Sequence, residues 1–251
     1  MFIRHSAAAA IILALMALPI FSSPVRAQET TFPKPIFDRD LIASSIAELS
    51  SLGTRVTGYP GCDMAADYIA GRFSSLGLSV TRQTYNAAIP YDFGSYVTLR
   101  STGMAPRVVQ AYAVWPNLVQ TSMTDLYSPP NGPLVYVGGG SLAEMNGKRI
   151  EGSIVLMDFN SGSNWLYAAE LGAKAVIFLG SRSTVASEAL AKFLNTPVHF
   201  PRLYVTPEDG GLLRDAAASG GTTAEVAVNM RYVSRQAQNI LAVLNGTSLP
   251  N

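Results

Sequence analysis

The chain has 251 residues, of which 48% are hydrophobic and 14% are charged. This composition supplies enough apolar side chains for a buried core, in one large domain or two small ones, and argues against a disordered chain. The net charge of +1 excludes the strongly basic surface with which proteins bind nucleic acids or anionic membranes. Cys62 is the only cysteine, so the chain cannot form an intramolecular disulfide.

Residues 1–27 have the organisation of a secretory signal peptide. A short basic start with Arg4 precedes the apolar run Ala7–Phe21, and Val25-Arg26-Ala27 then lead to a cleavage point after Ala27. A membrane anchor is the alternative, but the run is shorter than the ~20 residues needed to span a bilayer, and Pro19 interrupts it. We therefore expect a secreted or periplasmic protein. Cleavage would leave 16 basic and 17 acidic side chains, a net charge of −1.

The first elements after the signal peptide are predicted to be an extended segment, two helices and a strand. Residues 28–37 are rich in Thr and Pro. Asp40 is predicted to cap a helix that runs to Leu52 and ends at Gly53. The second helix is predicted from about Cys62 to Leu76, with Gly77 at its end and the apolar face Met64, Ala65, Tyr68, Ile69, Phe73 and Leu76. The strand Leu78–Tyr85 follows.

The chain from residue 90 onward has the pattern of a β-rich α/β domain, with short apolar runs between Gly/Pro turns. The predicted strands are Tyr96–Arg100, Val108–Trp115, Leu134–Val137, Ile154–Phe159, Lys174–Leu179, Arg202–Val205 and Ala224–Val233. Short helices are predicted at Trp165–Gly172 and Val185–Leu194. A third is predicted to be capped by Thr206 and to stop at Gly220. The last run, Asn239–Asn245, is typical of a buried strand with neighbours on both sides.

Two stretches resemble known families. Lys148 to Ser181 resembles the core of a protease-associated (PA) domain, in which a G-K/S-I-V-L strand and a helix precede a G-A-x-A-V-I-x strand. Here these are Gly152–Leu156 and Gly172–Phe178. Leu49 to Tyr85 resembles the two-helix start of M28-type zinc exopeptidases, with the pattern R-x-x-G-x-x-G, then A-x-Y-I, then L-G-x-x-V.

In many M28-type enzymes a PA domain is inserted next, and the peptidase core resumes with N-[IV]-[IL]-A-x-[IL]-x-G. Gln238–Gly246 fits that resumption. The resemblance implies an α/β fold in which a PA-like domain is inserted between N-terminal helices and a core strand of an incomplete peptidase layer. The implied organisation is a helical segment at 28–86, a PA-like domain at 87–235 and a returning strand at 236–251.

The resemblance also implies a pair of zinc ions, which such enzymes hold with two histidines and several carboxylates. In the family the first ligands, an H-x-D pair, follow the returning strand, and this chain ends before them. His5 falls in the signal peptide, so His199 is the only histidine left. We therefore predict no catalytic, metal-binding or cofactor-binding residues here; two zinc ions are expected only for a full-length relative.

Two residues, His199 and Cys62, could in principle have a metal-binding or catalytic role. His199 lies between prolines in a predicted loop, where a lone imidazole lacks the convergent donors of a metal site. Cys62 lies at a helix start, where the helix dipole favours a thiolate. A Cys62–His199 hydrolase is disfavoured because the two fall in different predicted domains without an orienting partner. A semi-buried structural cysteine is favoured instead. The chain also lacks the G-x-S-x-G motif of serine hydrolases.

The remaining motifs favour structural interpretations. Glu208 and Asp209 are predicted to be first-turn residues behind the Thr206 cap rather than a catalytic pair. Residues 138–141, Gly-Gly-Gly-Ser, are predicted to form a β-turn because the spacing of a phosphate loop is missing. The aromatic residues Tyr112, Trp115 and Trp165 are scattered as in a core or rim. The sequence Asn245-Gly246-Thr247 fits a glycosylation site or a turn.

The sequence therefore predicts the N-terminal part of a secreted zinc metallo-exopeptidase, inactive alone because its metal ligands are missing. The alternative is a stand-alone secreted module whose PA-like domain binds a peptide or protein. An apolar last strand without its sheet favours the first hypothesis. A peptide or protein partner is compatible with both.

Overall fold

The computed structural model describes residues 37–246. The predicted signal peptide, its predicted cleavage point after Ala27 and most of the predicted extended segment lie outside the described residues, as does Thr247 of the candidate glycosylation site. The helices are α1 (Arg39–Ser51), α2 (Pro60–Ser75), α3 (Leu142–Met145), α4 (Trp165–Glu170), α5 (Ala186–Leu190) and α6 (Pro207–Ala218). The strands are β1 (Ser79–Asp92), β2 (Ser95–Arg100), β3 (Arg107–Ala113), β4 (Asn131–Tyr136), β5 (Ile154–Asp158), β6 (Ala175–Leu179), β7 (Arg202–Val205), β8 (Thr223–Ala227) and β9 (Met230–Val243).

The residue that caps helix α1 lies two positions before the predicted cap. The Asp38 carboxylate accepts hydrogen bonds from the backbone N–H groups of Asp40 and Leu41, both at 3.0 Å. Asp38 therefore satisfies the free N–H groups of the first turn. Asp40 lies within that turn, so the prediction that Asp40 is the cap was wrong. The two carboxylates stand two residues apart, and the local sequence does not distinguish them. Gly53 has a positive φ of 69° just beyond the helix, as its predicted role requires.

Helix α2 buries a face of small residues. Ala65, Ala66 and Ala70 are buried where α2 packs on strands β1 and β9, and Gly61 is buried against the carbonyl oxygens of Leu52 and Thr54. Two residues of the predicted apolar face, Met64 and Leu76, are 53% and 68% exposed, so that prediction was wrong for them. Small side chains let the helix approach the strands closely. The helix ends as predicted: Leu78 N–H donates to Phe73 O and Gly77 N–H to Ser74 O, the bond pair of a Schellman motif.

Strands β1 and β9 form a two-stranded antiparallel ribbon, paired without interruption from Ser79↔Val243 to Asp92↔Met230. The sequence predicted a strand ending at Tyr85 and a break before Asn239, whereas both strands are continuous. In β9 only Met230 and Ala237 are buried. Within the described residues β9 pairs with β1 alone, so the run from Asn239, whose composition is typical of a buried strand, is mostly exposed and has an unpaired edge.

The other strands form a closed seven-stranded barrel in the order β2-β3-β7-β6-β5-β4-β8. Strands β4, β5, β6 and β7 are mutually parallel, and the remaining pairs are antiparallel. One face of each strand contributes to a buried apolar cluster that also includes Leu213 of α6. A second cluster on the outer side of β5 and β6 includes Met145, Trp165 and Phe200. The fold is thus mixed α/β and strand-rich, as predicted, and β7 covers the predicted residues 202–205.

The ribbon enters the barrel through a junction built around Asp92. One carboxylate oxygen accepts hydrogen bonds from Gly94 N–H at 3.1 Å and Ser95 Oγ at 2.8 Å, and the other accepts from Ala113 N–H at 2.8 Å. Phe93 N–H donates to Asn229 O at 2.9 Å across the two connections. These bonds hold both ends of the barrel segment against the end of the ribbon. Among the helices of residues 37–246, none has the length and apolarity to cross a membrane.

Candidate functional site

The two candidate catalytic residues, His199 and Cys62, lie in separate surroundings. The His199 ring lies in the loop before β7, with Nε2 2.8 Å from the carbonyl oxygen of Met123. Cys62 is half-buried in the first turn of α2, and its N–H donates to Tyr59 O at 2.9 Å. No hydrogen bond joins the two residues within the described part of the chain. The imidazole instead links the loop around residue 199 to the segment around residue 123.

The glycine turn at residues 138–140 is a β-turn, as predicted, and its backbone N–H groups are occupied. Gly140 N–H donates to Val137 O, and Gly138 and Gly140 have φ values of 59° and 74°. The Glu144 carboxylate accepts from Gly139 N–H at 3.0 Å and from the N–H and Oγ of Ser141 at 2.9 and 2.7 Å. These hydrogen bonds lower the pKa of Glu144. A side-chain carboxylate therefore fills the position where an anion would bind.

The predicted cap of α6 is confirmed. Thr206 Oγ1 accepts a hydrogen bond from Asp209 N–H at 3.3 Å and lies 3.3 Å from one Asp209 carboxylate oxygen. Pro207 occupies the first turn, and Glu208 and Asp209 follow it. Two acidic side chains at a helix start are stabilised by the helix dipole and by free N–H groups. Their geometry is that of a helix cap.

The three aromatic residues are core and rim residues, as predicted. Trp165 is fully buried and donates from Nε1 to Ala191 O at 2.9 Å, while Tyr112 and Trp115 are partly exposed. Tyr112 contacts Tyr204, with 6.4 Å between ring centroids.

A buried guanidinium that the sequence did not indicate holds three loops together. Arg202 is 0% exposed, and it donates to the carbonyl oxygens of Trp115, Lys192 and Phe200. Its Cζ lies 4.9 Å from the Trp165 ring centroid. Burial lowers the pKa of Arg202 to about 10, so the group remains protonated at neutral pH. Carbonyl dipoles and an aromatic face replace the missing carboxylate partner.

Lys192 is a second buried cation, and it lies beside a serine. Its Nζ donates to Gly162 O at 2.7 Å and Ser161 Oγ at 3.1 Å, and it is 3.3 Å from Glu188 Oε2. Burial lowers the pKa of Lys192, while Glu188 acts in the opposite direction. A Ser–Lys pair can activate a nucleophile. Here Lys192 and Ser161 are only 1% and 7% exposed, and the ammonium has an acceptor for each of its protons. The pair therefore stabilises the loop at residues 159–164.

A polar cluster lies where the parallel strands β4 and β5 end. The Tyr136 hydroxyl donates to the Asp158 carboxylate, with oxygen–oxygen distances of 2.9 and 3.0 Å, and Arg214 of α6 pairs with the same carboxylate at 2.8 Å. Burial raises the pKa of Tyr136, and the bond to Asp158 acts in the same direction. The carboxyl edge of parallel strands is where α/β proteins commonly bind ligands, which is the signal that sequence reasoning passed over. Each of the three groups already has a partner, so the cluster joins α6 to the strand ends.

The described residues do not fit a pair of zinc ions. No group of three or more His, Cys, Asp or Glu side chains between residues 37 and 246 comes together in a way that could hold a metal ion. A two-zinc site needs several such donors around each ion.

No protein-family model and no curated protein matches the sequence. Solved structures do match. The zinc aminopeptidase from Bacillus subtilis superposes with a TM-score of 0.55 at 21% identity, over 87% of this chain and 50% of that one. The aminopeptidase from Aneurinibacillus sp. strain AM-1 gives a TM-score of 0.42 at 23% identity, over 80% and 47%. A peptidase M28 precursor from Shewanella amazonensis gives 0.49 at 12%, over 79% and 49%.

The likeness defines a class of fold. The chain has a fold similar to that of the Bacillus subtilis zinc aminopeptidase. It spans about half the length of the solved structures it matches. The match to the Bacillus subtilis enzyme includes most of the chain, so it is not limited to the barrel.

Proposed function

We propose that this chain is the amino-terminal region of a secreted zinc exopeptidase of the M28 type, with a PA-like domain inserted into it. In this proposal α1, α2 and the ribbon belong to the peptidase layer, and the barrel is the inserted domain. The chain alone hydrolyses no peptide. A full-length relative would take its two zinc ions from residues that this chain does not contain.

The observation that carries the proposal is the register of the ribbon. The domain boundaries expected from the family resemblance, 86/87 and 235/236, are far apart in sequence. In the ribbon they lie side by side, because Asn86 pairs with Gln236 and Ala87 with Arg235. A segment that leaves and returns at one point of a sheet has the connectivity of an insertion, since its ends can join a host layer without disturbing it.

Two further observations support the proposal. The fold likeness to the Bacillus subtilis zinc aminopeptidase includes 87% of the chain, more than the barrel alone would supply. The histidines available as zinc ligands also support the predicted inactivity. His199 is the one histidine outside the predicted signal peptide, and its Nε2 already contacts the Met123 carbonyl oxygen.

The test is to purify the chain and measure its metal content and its activity. We expect less than stoichiometric zinc after dialysis and no turnover of aminoacyl-p-nitroanilides with added zinc. Stoichiometric zinc with peptide hydrolysis would contradict the proposal. Reading the frame beyond codon 251 tests the relationship itself: an H-x-D motif within a few dozen codons supports it, and unrelated sequence supports a separate module.

The second candidate function is a secreted module that binds a peptide through the barrel. A cavity beside β2, β3 and α6 favours it, because that cavity combines an apolar wall with two side chains of opposite charge. Binding of a peptide without any hydrolysis is the outcome expected for this module.

A further inference from the structure

We infer that the cavity between the β2–β3 hairpin and α6 binds a short peptide with free termini and an apolar side chain. The cavity has a volume of about 320 Å³, at the small end of the ~300–1,000 Å³ range of ligand pockets. That volume suits a ligand of one or two residues. The inference rests on the second candidate function, peptide binding through the barrel, and specifies its ligand and its binding residues.

The apolar wall of the cavity comes from three elements. Leu99 lies near the end of β2, Leu212 and Ala216 lie on α6, and Met104 lies at the tip of the β2–β3 hairpin. Leu99 is buried, whereas Met104 is 74% exposed, so the cavity has a fixed floor and an accessible rim. Methionine is a flexible apolar side chain that adapts to ligands of different shape. The wall can therefore take an aliphatic side chain.

The three hydroxyl groups that line the cavity already have hydrogen-bond partners within the protein. Ser101 Oγ and Thr222 Oγ1 are 2.8 Å apart, and Ser219 Oγ donates to Ala216 O at 2.9 Å. These hydroxyls leave little demand for a polar ligand group at the floor. Selectivity then depends on the two charged residues that line the same cavity.

Those charged residues are Arg107, at the start of β3, and Asp215, on α6. Within residues 37–246 neither side chain makes a hydrogen bond or an ion pair, with the other or with a third residue. A guanidinium binds a carboxylate through two parallel hydrogen bonds, and a carboxylate accepts from an ammonium group. A peptide with free termini presents both complementary charges on either side of its side chain.

The experiment titrates the purified chain with the dipeptide Leu-Leu and follows backbone amide chemical shifts. Three blocked forms are compared: N-acetyl-Leu-Leu, Leu-Leu-amide and the doubly blocked peptide. We expect shifts around residues 99–107 and 212–222, and roughly fivefold weaker binding for each charge removed from the peptide.

Two charge variants assign the ends of the ligand. Arg107→Gln should bind Leu-Leu and Leu-Leu-amide equally, because the group that recognises the carboxylate is gone. Asp215→Asn should bind Leu-Leu and N-acetyl-Leu-Leu equally for the corresponding reason. Arg182→Gln and Glu170→Gln remove exposed charges from other parts of the barrel and should keep the full preference for free termini.

A third variant tests the apolar wall without disturbing the core. Met104→Asn changes an exposed hairpin residue and should reduce the preference for Leu-Leu over Gly-Gly, while Leu99, Leu212 and Ala216 keep part of it. The inference is overturned if Leu-Leu shifts no amides around the cavity, or if free and blocked peptides bind with equal affinity. Either result leaves the zinc and hydrolysis test of the proposed function unaffected, so the two can fail separately.

Discussion

Buried charge is the feature of individual residues that most affects this fold. Arg202 donates to carbonyl oxygens in three loops and is itself fully buried. Sequence patterns could not indicate this role, because an arginine in a short apolar run is usually an exposed residue of a strand. Its partners are backbone carbonyls from distant segments, and such partners have no signature of their own.

We predict that Arg202→Met lowers the free energy of unfolding by about 3 kcal/mol or more, because several buried carbonyls lose their donor. The measurement is urea unfolding at pH 7. Arg149→Met is the matched control, since Arg149 is exposed and should change stability by no more than about 0.5 kcal/mol. Equal stability of the two variants would show that water replaces the guanidinium at no cost.

Glu188 gives the barrel a pH-dependent contribution. The hydrogen bond from Gly162 N–H, followed by the interaction with Lys192, lowers the pKa of Glu188 in the folded protein. A folded-state pKa below the unfolded value of ~4.3 contributes stability above that pH, and the contribution is lost as the pH falls through the lower value.

We therefore predict that Glu188→Gln is less stable than the wild type at pH 7 and that the difference shrinks below pH ~4. Unfolding curves from pH 3 to 7 check this. Ser187→Ala, one residue away and without a titrating group, should retain the wild-type pH dependence. A difference between Glu188→Gln and wild type that is constant with pH would contradict the role given to the carboxylate.

At the level of elements, local signals predicted well wherever a cap or an apolar run sufficed. The Thr206-Pro207 start of α6 and strand Arg202–Val205 are examples. The continuity of β1 and β9 could not be predicted in this way, because it depends on pairing between residues about 140 to 160 positions apart. The buried face of α2 was missed for a related reason: Ala65, Ala66 and Ala70 carry little apolar signal, and only the ribbon beneath them makes them a contact surface.

Two glycines of α2 provide a matched test of how closely the first turn of the helix packs against the preceding loop. A Cβ at Gly61 would collide with the carbonyl oxygens of Leu52 and Thr54, whereas a Cβ at Gly71 would meet nothing within 4 Å. We predict that Gly61→Ala destabilises the protein by roughly 1–3 kcal/mol. Gly71→Ala should stabilise it by about 1 kcal/mol through helix propensity. Thermal unfolding measures the stability of both variants. Stabilisation by both substitutions would contradict the predicted collision and would show that the chain around residues 52–54 can move away from a Cβ at position 61.

At the scale of the whole molecule, the barrel holds most of the fully buried side chains of the described chain. Its interior cluster draws on all seven strands, whereas α2 and the ribbon bury mainly alanines, with Ile89, Pro90 and Met230 near the junction with the barrel. A two-stranded ribbon is marginally stable by itself. The barrel should therefore be an autonomous folding unit, while the helices and the ribbon depend on further packing.

We predict that residues 88–234, which retain the Asp92 junction, fold cooperatively and bind Leu-Leu as the whole chain does. The complementary chain joins residues 37–92 to 230–246 through an Asn-Gly turn, which can close the ribbon because Asp92 pairs with Met230. We expect that chain to unfold without a cooperative transition. Near-ultraviolet circular dichroism and hydrogen exchange measure the tertiary structure and the stability of both chains. An unfolded barrel chain together with a cooperatively folding ribbon chain would contradict this prediction. The stable core would then lie in the helices and the ribbon, and the barrel would depend on them.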